Sequence, residues 1–152
     1  MRRMIFPFLF LVYRIGNTSM LPTVLPGDLL LIKLRPRSIH RGDVIIINPY
    51  GDQRPHQIKR VIGMPGDEIL IDKGAIVVNN HLITETYLKG RPVTVFSDDS
   101  RKWILGKNDY FVMGDNRIIS KDSRTQGPIS EQQIIGKAIY RLWPLGKRER
   151  IY

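Results

Sequence analysis

Residues 26–33, Pro-Gly-Asp-Leu-Leu-Leu-Ile-Lys, place three turn residues directly before a short apolar run. The same pattern returns in residues 41–47, Arg-Gly-Asp-Val-Ile-Ile-Ile. Short apolar runs bounded by Gly, Pro and Asp are typical of buried strands. The pattern therefore predicts two strands, and similar runs lie at residues 57–62, 68–72, 75–78, 81–83, 110–113 and 137–143.

The segments that join these runs are mostly turns. Residues 72–74 (Asp-Lys-Gly) and 79–80 (Asn-Asn) predict two hairpin turns. Ser130, followed three residues later by Gln133, predicts one short helical turn with a capping box. Residues 84–108 are the least regular and predict a surface excursion. We therefore predict an all-β fold of short antiparallel or mixed strands, curled into barrel-like sheets, with one short helical turn.

Composition limits the possible functions. The chain has 152 residues, enough for one domain with a core, and it contains no cysteine, which excludes disulfides and thiol chemistry. Its formal net charge of +10 favours anionic partners, either nucleic acid or a membrane surface. No helix-turn-helix, zinc-finger or base-stacking motif accompanies the basic residues, so we expect a membrane surface and no nucleic acid.

The N-terminus carries two arginines before an apolar run that reaches Tyr13. Arginines followed by apolar residues resemble the start of a membrane anchor, but a spanning helix needs about 20 apolar residues. Pro7 also disfavours a regular helix. We predict that residues 1–10 are a truncated or remnant anchor and that a strand follows.

A candidate nucleophile lies in residues 16–23, Gly-Asn-Thr-Ser-Met-Leu-Pro-Thr. Ser19, on a tight turn after a strand, could attack a carbonyl if a base lies beside it. The alternative is a polar turn that merely closes the strand. None of the three histidines has a patterned acidic partner or a metal-ligand spacing, so we expect neither a histidine base nor a metal site.

A lysine can replace histidine as the base if burial lowers its pKa. Lys59 lies inside the apolar run of residues 57–63, although a solvent-facing strand lysine is the common alternative. Residues 114–124 (Gly-Asp-Asn-Arg-Ile-Ile-Ser-Lys-Asp-Ser-Arg) hold two hydroxyls and two carboxylates. Such a loop could orient a neutral amine, or it could be a solvated loop with scattered charge.

Together these motifs resemble those of type I signal peptidases, the Ser/Lys endopeptidases that remove signal peptides from exported proteins. Four stretches match the family's boxes in the expected order: residues 19–23, 27–32, 59–67 and 114–124. The resemblance covers nearly all of the chain after residue 10. It implies a cofactor-free serine endopeptidase domain over residues 11–152 that cleaves after small residues of the Ala-X-Ala type.

By this resemblance Ser19 is the nucleophile and Lys59 is the general base. The backbone N–H of Ser19 and the side chain of Asn17 would donate hydrogen bonds to the oxyanion. The substrate would add as an extended strand between residues 14–17 and residues 56–58, and Ile58 would face it.

The resemblance also assigns supporting roles to the loop of residues 114–124. Ser120 would hydrogen-bond to the Lys59 amine and orient it. Asp122 and Arg124 would form a buried or half-buried ion pair, and Asp115 would hold the loop.

The resemblance further implies a membrane-associated protein whose catalytic domain faces the extracytoplasmic side. Met20 and Leu21 would be exposed apolar residues at the membrane, where precursors bearing signal peptides arrive. We expect a monomer. Two alternatives remain open, a specialised maturation protease that acts on one partner and a basic β-domain without enzymatic activity.

Overall fold

The computed structural model describes residues 9–51, 56–88 and 100–151, and these form two antiparallel sheets. The described residues contain twelve strands: β1 (Phe10–Arg14), β2 (Leu29–Leu34), β3 (Val44–Ile47), β4 (Gln57–Gly63), β5 (Glu68–Asp72), β6 (Ala75–Val78), β7 (His81–Leu82), β8 (Arg101–Ile104), β9 (Asp109–Met113), β10 (Ile129–Ser130), β11 (Ile134–Trp143) and β12 (Glu149–Arg150). The all-β prediction is confirmed.

The larger sheet has the strand order β1-β2-β11-β3-β4-β9-β10, with β12 paired to β11. Register shifts interrupt β11 where it pairs with β2 and with β3. Bulges of this kind bend a strand and increase its twist, and the sheet curls into a half-barrel as predicted. The apolar side chains of its central strands β3 and β4 are buried, so the core lies inside the curl.

The smaller sheet has the order β7-β6-β5-β8. Both predicted hairpin turns are present, with positive φ at Lys73 and Gly74 and at Asn79 and Asn80, as type I′ turns require. The two sheets meet at Gly63, where an added Cβ would lie 2.6 Å from a methyl of Ile69. The absence of a side chain therefore allows the sheets to pack closely.

The short helical segments are more numerous than predicted. The predicted turn at residues 131–133 has its capping box, since the Ser130 N–H donates to Gln133 Oε1. The structure adds a four-residue helix, α1 (Ser123–Gln126), and two further 3₁₀ turns at Thr86–Leu88 and Leu145–Lys147.

The two less regular parts of the chain differ in outcome. Strand β8 lies in the region of residues 84–108 for which we predicted irregular structure, so that prediction is wrong there; residues 89–99 lie outside the described residues. Most of the predicted anchor, residues 1–8, also lies outside them. Within the described ranges, no helix has the length and apolar character needed to cross a membrane.

Candidate active site

Ser19 lies on the turn that follows β1, next to the first residues of β4. Ile15 is buried in the core and bonds to Asp28, which fixes the chain just before the turn. The Ser19 hydroxyl lies 2.9 Å from Asn17 Oδ1 and 3.4 Å from the carbonyl oxygen of Ile58. Because Ile58 directly precedes Lys59, the fold places Ser19 beside the strand that carries the predicted base.

Lys59 is a buried lysine on the apolar face of β4. It pairs with Ile45 of β3, so its side chain shares the face that carries the buried Ile45 and Val61, and it is only 3% exposed. Burial lowers the pKa of Lys59 to about 8; Asp122 raises this pKa and Arg124 lowers it. The amine is therefore mostly neutral only above about pH 8, far below the ordinary range for lysine, and a general base must be neutral to accept a proton.

The loop of residues 114–124 packs directly on the turn that carries Ser19. An added Cβ on Gly114 would lie 2.2 Å from Ser120 Oγ and 2.5 Å from the Ser19 carbonyl oxygen. The Asn116 N–H donates to the same Ser19 oxygen at 2.9 Å, and the Asn116 side chain donates to Thr18. The loop and the turn are thus one tightly packed unit.

The predicted ion pair between Asp122 and Arg124 is present and buried. It is bidentate, with an Nε–Oδ1 distance of 2.7 Å and an Nη2–Oδ2 distance of 3.0 Å. Asp122 also caps α1 and accepts the Gly114 N–H at 2.9 Å. A single carboxylate therefore joins both ends of the loop.

Asp115 forms a second buried ion pair, with Arg60 of β4. The Arg60 guanidinium donates to both carboxylate oxygens, at 2.9 and 2.7 Å, and neither side chain is exposed. The Thr23 hydroxyl donates to the same carboxylate. Asp115 thus links the loop to β4 and to the turn after Ser19.

An apolar cleft of about 500 Å³ reaches Asn17, whose side chain accepts a hydrogen bond from Ser19. Its walls are residues 13–17 on one side and residues 56–58 on the other, with Tyr50 beside them. The rings of Tyr13 and His56 stack with centroids 6.1 Å apart. The cleft therefore lies between the two segments expected to flank the substrate strand, and Ile58 is part of its lining; substrate binding there stays a prediction.

Comparisons with known proteins identify the family of this chain. The sequence model of the family described as "Signal peptidase, peptidase S26" matches residues 2–143. The chain belongs to this signal peptidase family. The predicted family and enzyme class are confirmed.

Three relatives illustrate the similarity. Signal peptidase I V of Bacillus subtilis is 39% identical over 142 residues, which cover 84% of this chain and 82% of the relative. Signal peptidase IB of Staphylococcus aureus is 30% identical over 157 residues, with coverages of 92% and 81%. A probable signal peptidase I-2 of Synechocystis is 32% identical over 139 residues, and the match spans 86% of this chain but 62% of that relative.

A solved structure resembles the fold as well. The crystal structure of a signal peptidase I from Enterococcus faecalis aligns with a TM-score of 0.55 and 25% sequence identity. The alignment covers 66% of this chain and 97% of the other.

Three sequence-based expectations about this signal peptidase site need correction. Met20 is not exposed: its side chain is fully buried in the core beside Ile15, because the turn directs it inward, and Leu21 is half-buried. The Ser120 hydroxyl does not bond to Lys59. It is buried against Gly114 and has no partner among the described residues.

The third correction concerns the oxyanion donors. The amide oxygen of Asn17, not its nitrogen, faces Ser19 and accepts both the backbone N–H, at 3.3 Å, and the hydroxyl. In this geometry the Ser19 N–H already has an acceptor. Asn17 would have to rotate its amide before either group could donate to an oxyanion.

Sequence reasoning missed Glu85 and Tyr87 as parts of this region. It assigned no individual role to Thr23, Arg60 and Arg117, although they lie in the matched stretches. The available signal was a second cation, Arg60, inside the same apolar strand as Lys59. An arginine there requires a buried acidic partner. No group of three or more potential metal ligands lies together in the described ranges.

Proposed function

We propose that this protein is a serine endopeptidase with a Ser19/Lys59 dyad that cleaves signal peptides from exported precursors after small residues. The observation that carries the proposal is the position of the Ser19 hydroxyl. It lies 3.4 Å from the carbonyl of the residue before a buried lysine, and burial lowers the pKa of that lysine to about 8. A serine needs such a base to become nucleophilic.

The chemistry follows from these two groups. Neutral Lys59 takes the proton of the Ser19 hydroxyl as its oxygen attacks the scissile carbonyl. Protonated Lys59 then gives that proton to the leaving amine, which leaves an acyl-enzyme on Ser19. Water, deprotonated by Lys59, attacks the acyl-enzyme and releases the signal peptide with a free carboxylate.

The oxyanion would be stabilised by the Ser19 N–H and by Asn17 after its amide rotates. Substrate entry would displace the Asn17 oxygen from Ser19 and free the N–H. The rotated side chain would then present Nδ2 to the same position. Loss of one such donor typically lowers the rate by about 10²–10³-fold.

The edge of β1 supports binding of the substrate as a strand. Ile15 donates its N–H to Asp28 and the Leu9 carbonyl accepts from Leu34, so alternate residues bond to β2. Arg14 and Gly16 therefore turn their backbone groups away from β2, toward the cleft that they line. An extended peptide can pair with this edge.

We further propose that the active-site end of the sheet lies at the membrane surface. Trp143 and Arg14 both lie opposite Leu29, so they are at the same end of neighbouring strands, and Trp143 is half exposed. The apolar side chains of residues 9–12 are about half exposed on β1. Exposed aromatic and apolar groups on a basic protein suit an anionic membrane surface. The catalytic side would face the extracytoplasmic leaflet.

The test is cleavage of a precursor that carries an Ala-X-Ala site, with the cut located by mass spectrometry. The purified wild-type chain should cut after the second alanine, whereas Ser19→Ala and Lys59→Ala should not. Lys33→Ala is the matched control, because Lys33 lies on apolar strand β2 but is partly exposed. Cleavage by Ser19→Ala would refute the proposal. Cleavage of one precursor only, among several unrelated ones, would indicate a specialised protease.

A further inference from the structure

A buried charge cluster lies behind the loop of residues 114–124, outside the cleft. Glu85 forms an ion pair with Arg117 of the loop, and each side chain is 2% exposed. Arg117 Nη1 donates to Glu85 Oε2 at 2.6 Å, and the Tyr87 hydroxyl donates to the other carboxylate oxygen. Glu85 and Tyr87 come from the segment that follows the smaller sheet, so this cluster joins that segment to the loop.

The cluster continues to the strand that carries Lys59. The Arg60 guanidinium lies 3.9 Å from the centre of the Tyr87 ring and pairs with Asp115. Two arginines and two carboxylates are therefore buried together with balanced charge. Burial and Glu85 both raise the pKa of the Tyr87 hydroxyl, which stays a neutral donor.

A chain of short contacts leads from Glu85 to the reacting groups. Arg117 Nε donates to the Gly114 carbonyl at 3.0 Å. Gly114 is the residue against which Ser120 and the Ser19 carbonyl pack without room for a methyl group. The position of Arg117 therefore sets the position of the surface on which Ser19 rests.

We propose that Glu85 is a positioning residue for the Ser19/Lys59 pair, acting through Arg117 on Gly114. This inference rests on the proposed peptidase function. Glu85 does not line the cleft, so its effect is on the placement and electrostatics of the reacting groups. Substrate binding along residues 13–17 and 56–58 does not involve it.

Because Glu85 is charged, its proposed role can be distinguished by experiment from a purely structural role. Without this charge, Arg117 loses its ion pair with Glu85, whereas the pair of Arg60 with Asp115 remains. The added positive charge beside the loop would lower the pKa of Lys59 further. The charged groups that shift the pKa of Lys59 in the wild-type chain are Asp122 and Arg124, and Glu85→Gln leaves both in place. A defect that only unfolds the chain would instead raise this pKa toward its ordinary value of 10.5.

The experiment compares Glu85→Gln with the wild-type full chain on an Ala-X-Ala peptide from about pH 6 to about pH 10. We expect kcat to fall by about 10–100-fold, because misplacement of the reacting groups by about 1 Å costs that much. KM should change less than about twofold, because the cleft is intact. The rising limb of the pH profile should move to lower pH.

Glu68→Gln is the matched control. Glu68 is a carboxylate of the smaller sheet that pairs with Lys102 at the surface, 37% exposed. Its replacement should leave kcat and the rising limb of the pH profile unchanged. The double variant Glu85→Gln/Arg117→Gln restores charge balance, so the rising limb of its pH profile should return toward the wild-type position.

Two readouts keep the outcome decisive. If Glu85→Gln folds poorly, Tyr87→Phe keeps the ring under Arg60 and removes only the bond to Glu85, and kcat should fall by a smaller factor. The pKa of Lys59, read by NMR from its labelled side chain, should drop in Glu85→Gln whether or not the chain cleaves peptide. A wild-type chain without Ser19-dependent cleavage would refute the peptidase proposal. An unchanged Lys59 pKa with unchanged kcat would overturn the role of Glu85.

Discussion

Replacing Lys59 by methionine should inactivate the protein and stabilise its fold. The pKa of Lys59 drops from 10.5 to about 8 on burial. A change of one pKa unit corresponds to about 1.4 kcal/mol. Keeping buried Lys59 protonated in the folded chain therefore costs about 3 kcal/mol at neutral pH. Methionine has a similar unbranched shape and no charge to desolvate. We predict that Lys59→Met unfolds with a free energy up to about 3 kcal/mol higher at neutral pH.

The sign of the pH dependence is fixed by the same shift. Between about pH 8 and 10.5 the unfolded wild-type chain holds the Lys59 proton while the folded chain has released it. Wild-type stability therefore rises with pH across this window, and the advantage of Lys59→Met shrinks there. The advantage is fully present below about pH 8.

Urea unfolding at several pH values measures both effects, with Lys33→Met as the control on a partly exposed strand lysine. The control should show no gain and no added pH dependence. If Lys59→Met were no more stable than wild type at neutral pH, or if its gain did not change with pH, the lysine would not be a desolvated base.

Three further predictions concern the reaction. The cleavage rate of the wild-type chain should rise about 10-fold between about pH 7 and about pH 9 as Lys59 loses its proton, and a flat profile in a kcat/KM assay would contradict a lysine base. Gly114→Ala should lower kcat by about 100-fold, because the new Cβ would lie 2.2 Å from Ser120 Oγ; an unchanged kcat would mean that the loop can give way. Asn17→Asp still accepts from Ser19 but cannot donate, so it should lose about 100-fold in kcat while Asn17→Ser keeps most of it. Equal rates for these two variants would exclude donation by Asn17.

The strands were predictable because turn residues and apolar runs are local signals. The strand order was not, because β11 inserts between β2 and β3 and nothing local in residues 134–143 specifies those partners. Strand β8 was missed because Arg101 and Lys102 give it a charged, exposed pattern. Charged residues of this kind are common on the edge strands of sheets, where they prevent aggregation.

The features of the candidate site also fall into those that the sequence predicts and those that it does not. The positions of Ser19 and Lys59 and the pair Asp122–Arg124 followed from motifs in sequence order. The partners of Arg60 and Glu85 did not, because several arginines and carboxylates could pair and only the packing selects among them. The burial of Met20 was also unpredictable, since an apolar residue after Ser19 suits a membrane surface as well as a core.

The Asp122 carboxylate has two opposing effects, one on the structure of the loop and one on the pKa of Lys59, and Arg124 offsets the second. The loop needs an anion there, because the Asp122 carboxylate holds the Gly114 N–H and so the surface on which Ser120 packs. The proposed base Lys59 needs less negative charge beside it, because an unpaired carboxylate raises the pKa of Lys59 and would keep the amine protonated. Arg124, bonded to both carboxylate oxygens, offsets that charge and lowers the pKa again. Burial then decides the protonation of Lys59, while Asp122 acts as a rigid connector in the loop.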